Sequence, residues 1–238
     1  TAFALSINDG TAQLLSQYPS SVKYTDSTST FELGLPLKLV ADGTETLTIG
    51  FTENGMFDAS GTAAAQTQKI NSVKLFDLSA PIITESKLNS DNSKVTIRFS
   101  VPVYADAKAS LTLEPDDFKL TLVGGTATLK STTPSSIDSS ENGKRYQLGL
   151  DVIGIPDGRE VLTINPVDNN IYDDAANPAN KVQDNNSMNL FDKQPPTITS
   201  ISLSKANDTL FVILSEAAYA KDTGSDTLVI GDFTLSIA

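Results

Sequence analysis

The feature that most constrains this chain is an internal repeat with constant spacing. Phe118 follows Phe3 by 115 residues, and Phe233 follows Phe118 by the same number. Further pairs keep this spacing without an insertion or deletion: Gly10 and Gly125, Pro19 and Pro134, Phe31 and Tyr146, Asp58 and Asp173, Phe76-Asp77 and Phe191-Asp192, Pro81 and Pro196, Tyr104 and Tyr219. Such a period exceeds that of common solenoid units, so each repeat is expected to be a whole small domain.

The hydrophobic pattern predicts an all-β fold. Val95, Ile97 and Phe99 alternate with polar neighbours, and so do Leu120 and Leu122, as expected of strands with one buried face. Dipeptides that accept the positive φ of tight turns separate these runs: Asp9-Gly10, Asp42-Gly43, Gly124-Gly125, Asn142-Gly143 and Asp157-Gly158. Short strands at this spacing favour tandem antiparallel sandwiches. The segments 63–66 and 105–110 tolerate a helix, but they are too short for one, so we expect loops or single turns there.

Two proline-containing segments, 76–84 and 191–199, are predicted to be joints between domains. In each, an aromatic residue ends one strand and proline restricts the start of the next. When the repeat boundaries are placed at these joints, the sequence predicts one complete repeat over 80–194. It makes 1–79 a partial repeat that lacks the first strands, and 195–238 a partial repeat with the first strands only.

The motifs in this order resemble the bacterial-type immunoglobulin-like tandem repeats of large cell-surface and extracellular proteins. The resemblance rests on the joint Asp and Pro, on the strand Val95–Val103, on Asp116-Asp117-Phe118 and on the turn Asp173–Asn177. Two departures from the pattern are visible: the second copy has Glu216-Ala217 without the proline, and the first has no Asn in the turn Asp58–Thr62. The resemblance implies immunoglobulin-like β-sandwiches, an extracellular or cell-surface location, a structural or adhesive role, and no catalysis.

Composition narrows the classes of function. The net charge of −12 disfavours nucleic acid and anionic membrane surfaces as partners, and no apolar run is long enough to insert into a membrane. The chain has no His, Cys or Trp, which removes Ser-His-Asp and Cys-His catalysis and imidazole or thiolate metal sites. We therefore expect no enzyme, although a carboxylate pair is chemically able to cleave glycosides.

Calcium is the one cofactor that the sequence suggests, because Asp and Asn oxygens suit this cation and surface domains often bind it at joints. The candidate ligands are Asp58, Asp77, Asp173, Asp174 and Asp192. The alternative is that these carboxylates form Asx turns or bind backbone amides at the joints. No EF-hand spacing is present.

The recurring aromatic pairs are predicted to pack in the core rather than to form a binding surface, because they alternate with polar neighbours. These pairs are Phe57/Tyr172, Phe76/Phe191 and Tyr104/Tyr219.

The leading hypothesis is a non-catalytic structural module of an extracellular fibre, stalk or appendage, whose partners are neighbouring copies or repeats, head to tail. The alternatives are a calcium-dependent adhesin or carbohydrate-binding module, with glycan as its ligand, and a spacer within a larger enzyme. Residues 1–79 are expected to present an open edge that strands like 198–203 and 210–214 complete, through covalent linkage or from another chain.

Overall fold

The structure, a computed structural model, describes residues 2–25 and 29–236. This part of the chain is all-β, with 37% strand and no α-helix, and every sheet is antiparallel. The segments 63–66 and 105–110 contain no helix, as predicted. The predicted all-β class is therefore confirmed.

The central unit, which we define as residues 80–194, contains nine strands. They are β8 Ile83–Leu88, β9 Lys94–Phe99, β10 Phe118–Val123, β11 Thr128–Leu129, β12 Ile137–Ser140, β13 Arg145–Gly149, β14 Val152–Ile153, β15 Val161–Pro166 and β16 Ser187–Asn189. One sheet has the order β12-β13-β9-β8 and the other the order β10-β15-β16, while β11 pairs with β14. Single 3-10 turns at Pro115–Asp117 and Glu141–Gly143 complete the unit.

One buried apolar cluster joins the two larger sheets of the central unit. Its members all lie between Ile83 and Leu190, and both sheets contribute to it. Alternation explains the burial, because Val95, Ile97 and Phe99 point into the cluster while Lys94 and Arg98 on the same strand are exposed. The ring of Phe99 lies 6.4 Å from that of Phe118 and 6.2 Å from that of Tyr146. Strand β9 thus supplies the middle of this core.

The N-terminal segment, residues 2–79 as far as they are described, contains seven strands. They are β1 Phe3–Asn8, β2 Gln13–Leu14, β3 Ser21–Tyr24, β4 Phe31–Gly34, β5 Leu37–Lys38, β6 Thr46–Phe51 and β7 Ser72–Lys74. Their pairing order is β1-β6-β7, β2-β5 and β3-β4. In the central unit the counterpart of β4 pairs with β9 on its other side, whereas no strand of the described chain pairs with that side of β4.

The C-terminal hairpin consists of β17 Ile198–Leu203 and β18 Leu210–Leu214. A 3-10 turn at Ile230–Asp232 follows it. When the numbering is shifted by 115, the strands β1 to β9 coincide with β10 to β18 to within one residue. The bulge is also in the same place, between Ile83 and Glu85 in β8 and between Ile198 and Ser200 in β17. The hairpin is therefore the counterpart of β8 and β9.

Candidate functional site

Four of the five candidate calcium ligands form Asx turns, in which the carboxylate accepts the backbone N–H group two residues later. The Oδ1 atom of Asp58 accepts hydrogen bonds from the backbone N–H groups of Ser60 at 2.9 Å and Thr62 at 2.8 Å. Asp173 does the same with Ala175 at 3.0 Å and Asn177 at 2.8 Å. The hydrogen bond from the Thr62 backbone is the main reason that the pKa of Asp58 is lowered. This is the alternative arrangement that the sequence left open for these residues.

The other candidates lie at or near the joints. Asp77 and Asp192 each accept a backbone N–H two residues later, from Ser79 and Gln194, both at 2.8 Å. Asp174 is exposed. Within the described ranges, no three acidic side chains are arranged to hold a metal ion.

Asn177 connects the central unit to the N-terminal segment. Its Nδ2 atom donates to the carbonyl oxygen of Asp77 at 3.2 Å and to Oδ2 of Asp173 at 3.0 Å. The structure thus brings the backbone of Asp77 and the carboxylate of Asp173 together at one of the two predicted joints, whereas Asp192 lies at the other. The side-chain amide of Asn177 bridges the first two by donating to both.

A pair of buried carboxylates was missed by the sequence interpretation. Glu160 is completely buried, and its Oε1 accepts the backbone N–H groups of Thr126 at 2.8 Å and Ala127 at 2.9 Å, with a longer bond from Asp157. Glu45 lies 115 residues earlier and holds the corresponding turn in the N-terminal segment. The constant repeat spacing of the two glutamates was the available signal.

The pKa values of these glutamates follow from two opposing effects. Burial alone would raise the pKa of Glu45, but the backbone N–H donors of Ala12, Glu45, Asp42 and Thr11 outweigh it and lower the pKa to about 2. The pKa of Glu160 is lowered by the same balance. Both groups are therefore charged at neutral pH, and they fix turns rather than form an open site.

The prediction that the recurring aromatics pack in the core is wrong. Phe57, Phe76, Phe191 and Tyr219 are exposed, and Tyr104 and Tyr172 are only half-buried. Phe76 and Phe191 come after the last residues of β7 and β16, so strand alternation does not set the direction of their side chains.

The C-terminal hairpin exposes the positions that its counterpart buries. Ile83, Val95 and Ile97 are 1%, 0% and 0% exposed, whereas Ile198, Leu210 and Val212 are 64%, 44% and 39% exposed. Leu203 and Ile201 are exposed as well. The described part of the chain therefore leaves the apolar face of this hairpin uncovered, whereas the central unit covers the corresponding face of β8 and β9.

A cavity of about 470 Å³ opens on the N-terminal segment, lined by Ala2, Phe3, Val22, Tyr24, Phe31, Gly55, Met56 and Phe57. In the central unit the counterparts of Phe3 and Phe31 are Phe118 and Tyr146, and these two rings pack against Phe99. The cavity therefore lies where the central unit places the end of β9.

Two buried amides fasten the β8–β9 hairpin to the end of its own unit. Asn92, in the hairpin turn, donates from Nδ2 to the carbonyl oxygen of Phe191 at 2.7 Å and accepts the N–H of Phe191 at 2.8 Å. The N–H of Ile83 donates to Oε1 of Gln183 at 2.7 Å. The sequence interpretation missed these amides too, although Asn207 and Gln68 occupy the same positions of the repeat.

No helix in the described residues is long and apolar enough to cross a membrane. Comparison of the chain with protein-family models, with curated proteins and with solved structures gave no match.

Proposed function

We propose that this chain is a non-catalytic structural module of an extracellular fibre, stalk or appendage, built from tandem immunoglobulin-like β-sandwiches that assemble head to tail. The observation that carries the proposal is the recurrence of the same strands, sheets and bulge at a spacing of 115 residues. Domains joined in series form an elongated structure with a regular axial repeat, as a stalk or fibre requires.

The proposed division is a partial repeat over 1–79, a complete one over 80–194 and a partial one over 195–238. The buried cluster between Ile83 and Leu190 supports a self-contained central repeat. The exposed apolar face of the C-terminal hairpin supports a contact with a further repeat.

The composition supports the non-catalytic part of the proposal. The chain carries no His or Cys, and the buried Glu45 and Glu160 are held by backbone amides rather than directed into a cleft. The net charge of −12 suits a solvated surface that does not bind nucleic acid.

Electron microscopy of the protein after concentration tests the proposal. The expected result is beads or filaments with a regular repeat along the axis. A population of compact single particles at all concentrations would contradict head-to-tail assembly.

The second candidate is a calcium-dependent adhesin or carbohydrate-binding surface module. It is favoured by the position of Asp77 and Asp173 at one joint, where a divalent cation would stiffen the connection. Calorimetry with Ca²⁺ and a glycan array together separate the two candidates. Binding in either experiment is expected only for the adhesin or carbohydrate-binding module.

A further inference from the structure

We propose that Asn177 is a positioning residue that holds the N-terminal segment and the central unit in one relative orientation, with its side-chain amide in the place that a bound cation would otherwise take. The inference rests on the proposed function, in which repeats are joined in series, and deepens it by naming what fixes the angle between two of them. Both sides of this joint lie within the described chain.

On its first side, the joint is fastened to the N-terminal segment as far as Leu78. The N–H of Leu78 donates to the carbonyl oxygen of Ala41 at 3.0 Å, and Asp77 forms an antiparallel bridge with Asp42. Gly43 lies so close that a Cβ atom on it would be 3.0 Å from the Asp77 Cβ atom. Asp77 is therefore fixed to the turn that follows β5.

On its second side, the joint is fastened to the central unit from Ile82 onward. The N–H of Ile82 donates to Oγ of Ser100 at 3.2 Å, and its carbonyl oxygen accepts the N–H of Ser100 at 2.9 Å. Only the three residues 79–81 lie between the two anchored positions. A connection this short leaves few backbone torsions through which the two parts could turn relative to each other.

The three connecting residues are themselves restricted. The N–H of Ser79 is held by Oδ1 of Asp77 at 2.8 Å. Pro81 has a fixed φ, and its ring also disfavours the helical region for Ala80 before it. Pro81 is buried as well. The connection is therefore a short, nearly extended strut rather than a flexible linker.

The side chain of Asn177 adds a bond across this strut. Its own turn holds it, because Oδ1 of Asp173 accepts the backbone N–H of Asn177 at 2.8 Å. From that position Nδ2 donates both to the carbonyl oxygen of Asp77 at 3.2 Å and to Oδ2 of Asp173 at 3.0 Å. Asp173 is completely buried, so its carboxylate depends on such donors.

The amide suits this position because it brings two hydrogens to two oxygen acceptors. A backbone carbonyl and a carboxylate are also ligands that Ca²⁺ takes. With the Asn177 amide between them, the two oxygens are already joined by hydrogen bonds. The joint is therefore expected to keep its orientation without a metal ion.

The next joint has the same hydrogen bonds 115 residues later, which shows that the short strut is a recurring feature of the repeat. Its three bonds run from the N–H groups of Lys193 to Pro156 at 2.8 Å, of Gln194 to Asp192 at 2.8 Å and of Thr197 to Ser215 at 2.9 Å. The connecting stretch is again three residues, 194–196, and two of them are prolines.

Spin-label distances across the joint test the proposal, and the chain has no cysteine of its own to interfere. Nitroxide labels are attached to the double variant Lys38→Cys, Lys119→Cys, whose exposed sites lie on β5 and β10 on either side of the joint. Double electron–electron resonance then gives the distribution of distances between them. The variant Lys87→Cys, Lys119→Cys supplies the distribution within the central unit alone.

The distribution across the joint is expected to be as narrow as the one within the central unit. Adding Asn177→Ala should widen the distribution across the joint at least about twofold, because the strut alone leaves the two parts less restrained. Asn177→Asp should widen it as well, since a carboxylate has no hydrogen to donate and repels Asp173. Neither change should widen the distribution within the central unit, which would report a damaged fold.

Asn189→Ala is the matched control. Nδ2 of Asn189 donates to the carbonyl oxygen of Gly158 at 3.1 Å, a bond of the same kind that stays within the central unit. Its loss should leave both distributions unchanged. A distribution across the joint that stays narrow in Asn177→Ala, or that widens equally in Asn189→Ala, would overturn the role of Asn177.

Calcium provides the second arm of the test. The distribution of the parent protein should be the same in EDTA and in Ca²⁺, and a joint that is narrow only with Ca²⁺ would overturn the amide as the link. Regular filaments with a wide distribution across the joint would leave the proposed function standing and refute this inference. A narrow distribution that depends on Asn177, without filaments, would support the inference and contradict head-to-tail assembly.

Discussion

Gly125 lies so close to the carboxylate of Glu160 that a Cβ atom on the glycine would be 2.2 Å from the Glu160 Cδ atom. The turn therefore leaves room only for a buried carboxylate or for a side chain at position 125, and not for both. Gly10 and Glu45 repeat the relationship at 2.3 Å. The two pairs mark the same internal anchor in each copy.

Gly125→Ala should destabilise the central unit by about 3 kcal/mol or more, because displacing Glu160 breaks buried charge-assisted hydrogen bonds. The control is Gly154→Ala. Gly154 also has a positive φ, of 90°, but its nearest contacts to a new Cβ are 3.6 Å away. Urea unfolding should show a clearly smaller loss of unfolding free energy for Gly154→Ala. Equal losses for the two variants would mean that backbone strain alone explains the effect.

Stability should decrease in acid because of Glu45 and Glu160. Both pKa values are lower in the folded state, so the contribution of each group is fully present above the unfolded value near 4.5 and is lost as the pH falls through its folded-state pKa, which is about 2 for Glu45. Melting temperatures between pH 6 and roughly 2.5 measure this loss.

The double variant Glu45→Gln, Glu160→Gln provides the control for the acid effect. It should be less stable than the parent protein at neutral pH, because a neutral amide is a weaker acceptor for the same N–H groups. Its melting temperature should also vary less over the acid range. If the melting temperature of the double variant depends on pH as strongly as that of the parent protein, other carboxylates cause the pH dependence.

Phe99→Ala should lower the free energy of unfolding by about 3–5 kcal/mol, since it removes a ring that packs against both Phe118 and Tyr146 in the buried cluster. Leu214→Ala changes the same position of the C-terminal hairpin, where the surrounding strand is exposed. It should leave the unfolding of this chain almost unchanged, because Leu214 lies outside the buried cluster of the central unit. Urea unfolding of both variants measures the two losses of free energy, and equal losses would contradict a core confined to the central unit.

Asp173→Asn should destabilise the central unit by about 1–2 kcal/mol, because its new amide group would face the Nδ2 donor of Asn177. Asp58→Asn is the matched control, since Asp58 is exposed and should lose less. Repeating the melts with Ca²⁺ and with EDTA tests the calcium hypothesis. A melting temperature that rises with Ca²⁺ in the parent protein but not in Asp173→Asn would support a metal ion at this joint.

Strands and turns could be predicted from the sequence because their causes are local. Alternation sets the burial of Val95, Ile97 and Phe99, and the glycines at 43, 125 and 158 adopt the positive φ that the turn dipeptides indicate. The exposed positions of Phe76 and Phe191 could not be predicted, because the side chains follow strand ends where alternation no longer applies.

Glu160 could not be predicted for a different reason. It lies in a polar stretch before β15, and its burial depends on amide donors at Thr126 and Ala127, which are distant in sequence. Asn92 and Gln183 likewise act on backbone groups 99 and 100 residues away. The one signal for them in the sequence is that the same residue types recur 115 residues away, as Glu45, Asn207 and Gln68.

The hydrogen bond between Ile83 and Gln183 spans 100 residues, and this separation affects the order of events during synthesis. The β8–β9 hairpin leaves the ribosome first, but the residues that fasten it are made last. At about 5–20 residues per second, the hairpin waits roughly 5–20 seconds for its own unit. During that interval the apolar side chains of β8 and β9, such as Val95 and Ile97, lack most of the strands that bury them in the finished unit. Ile83 and Gln183 therefore lie at the two ends of a unit whose core closes only when its last residues have been made.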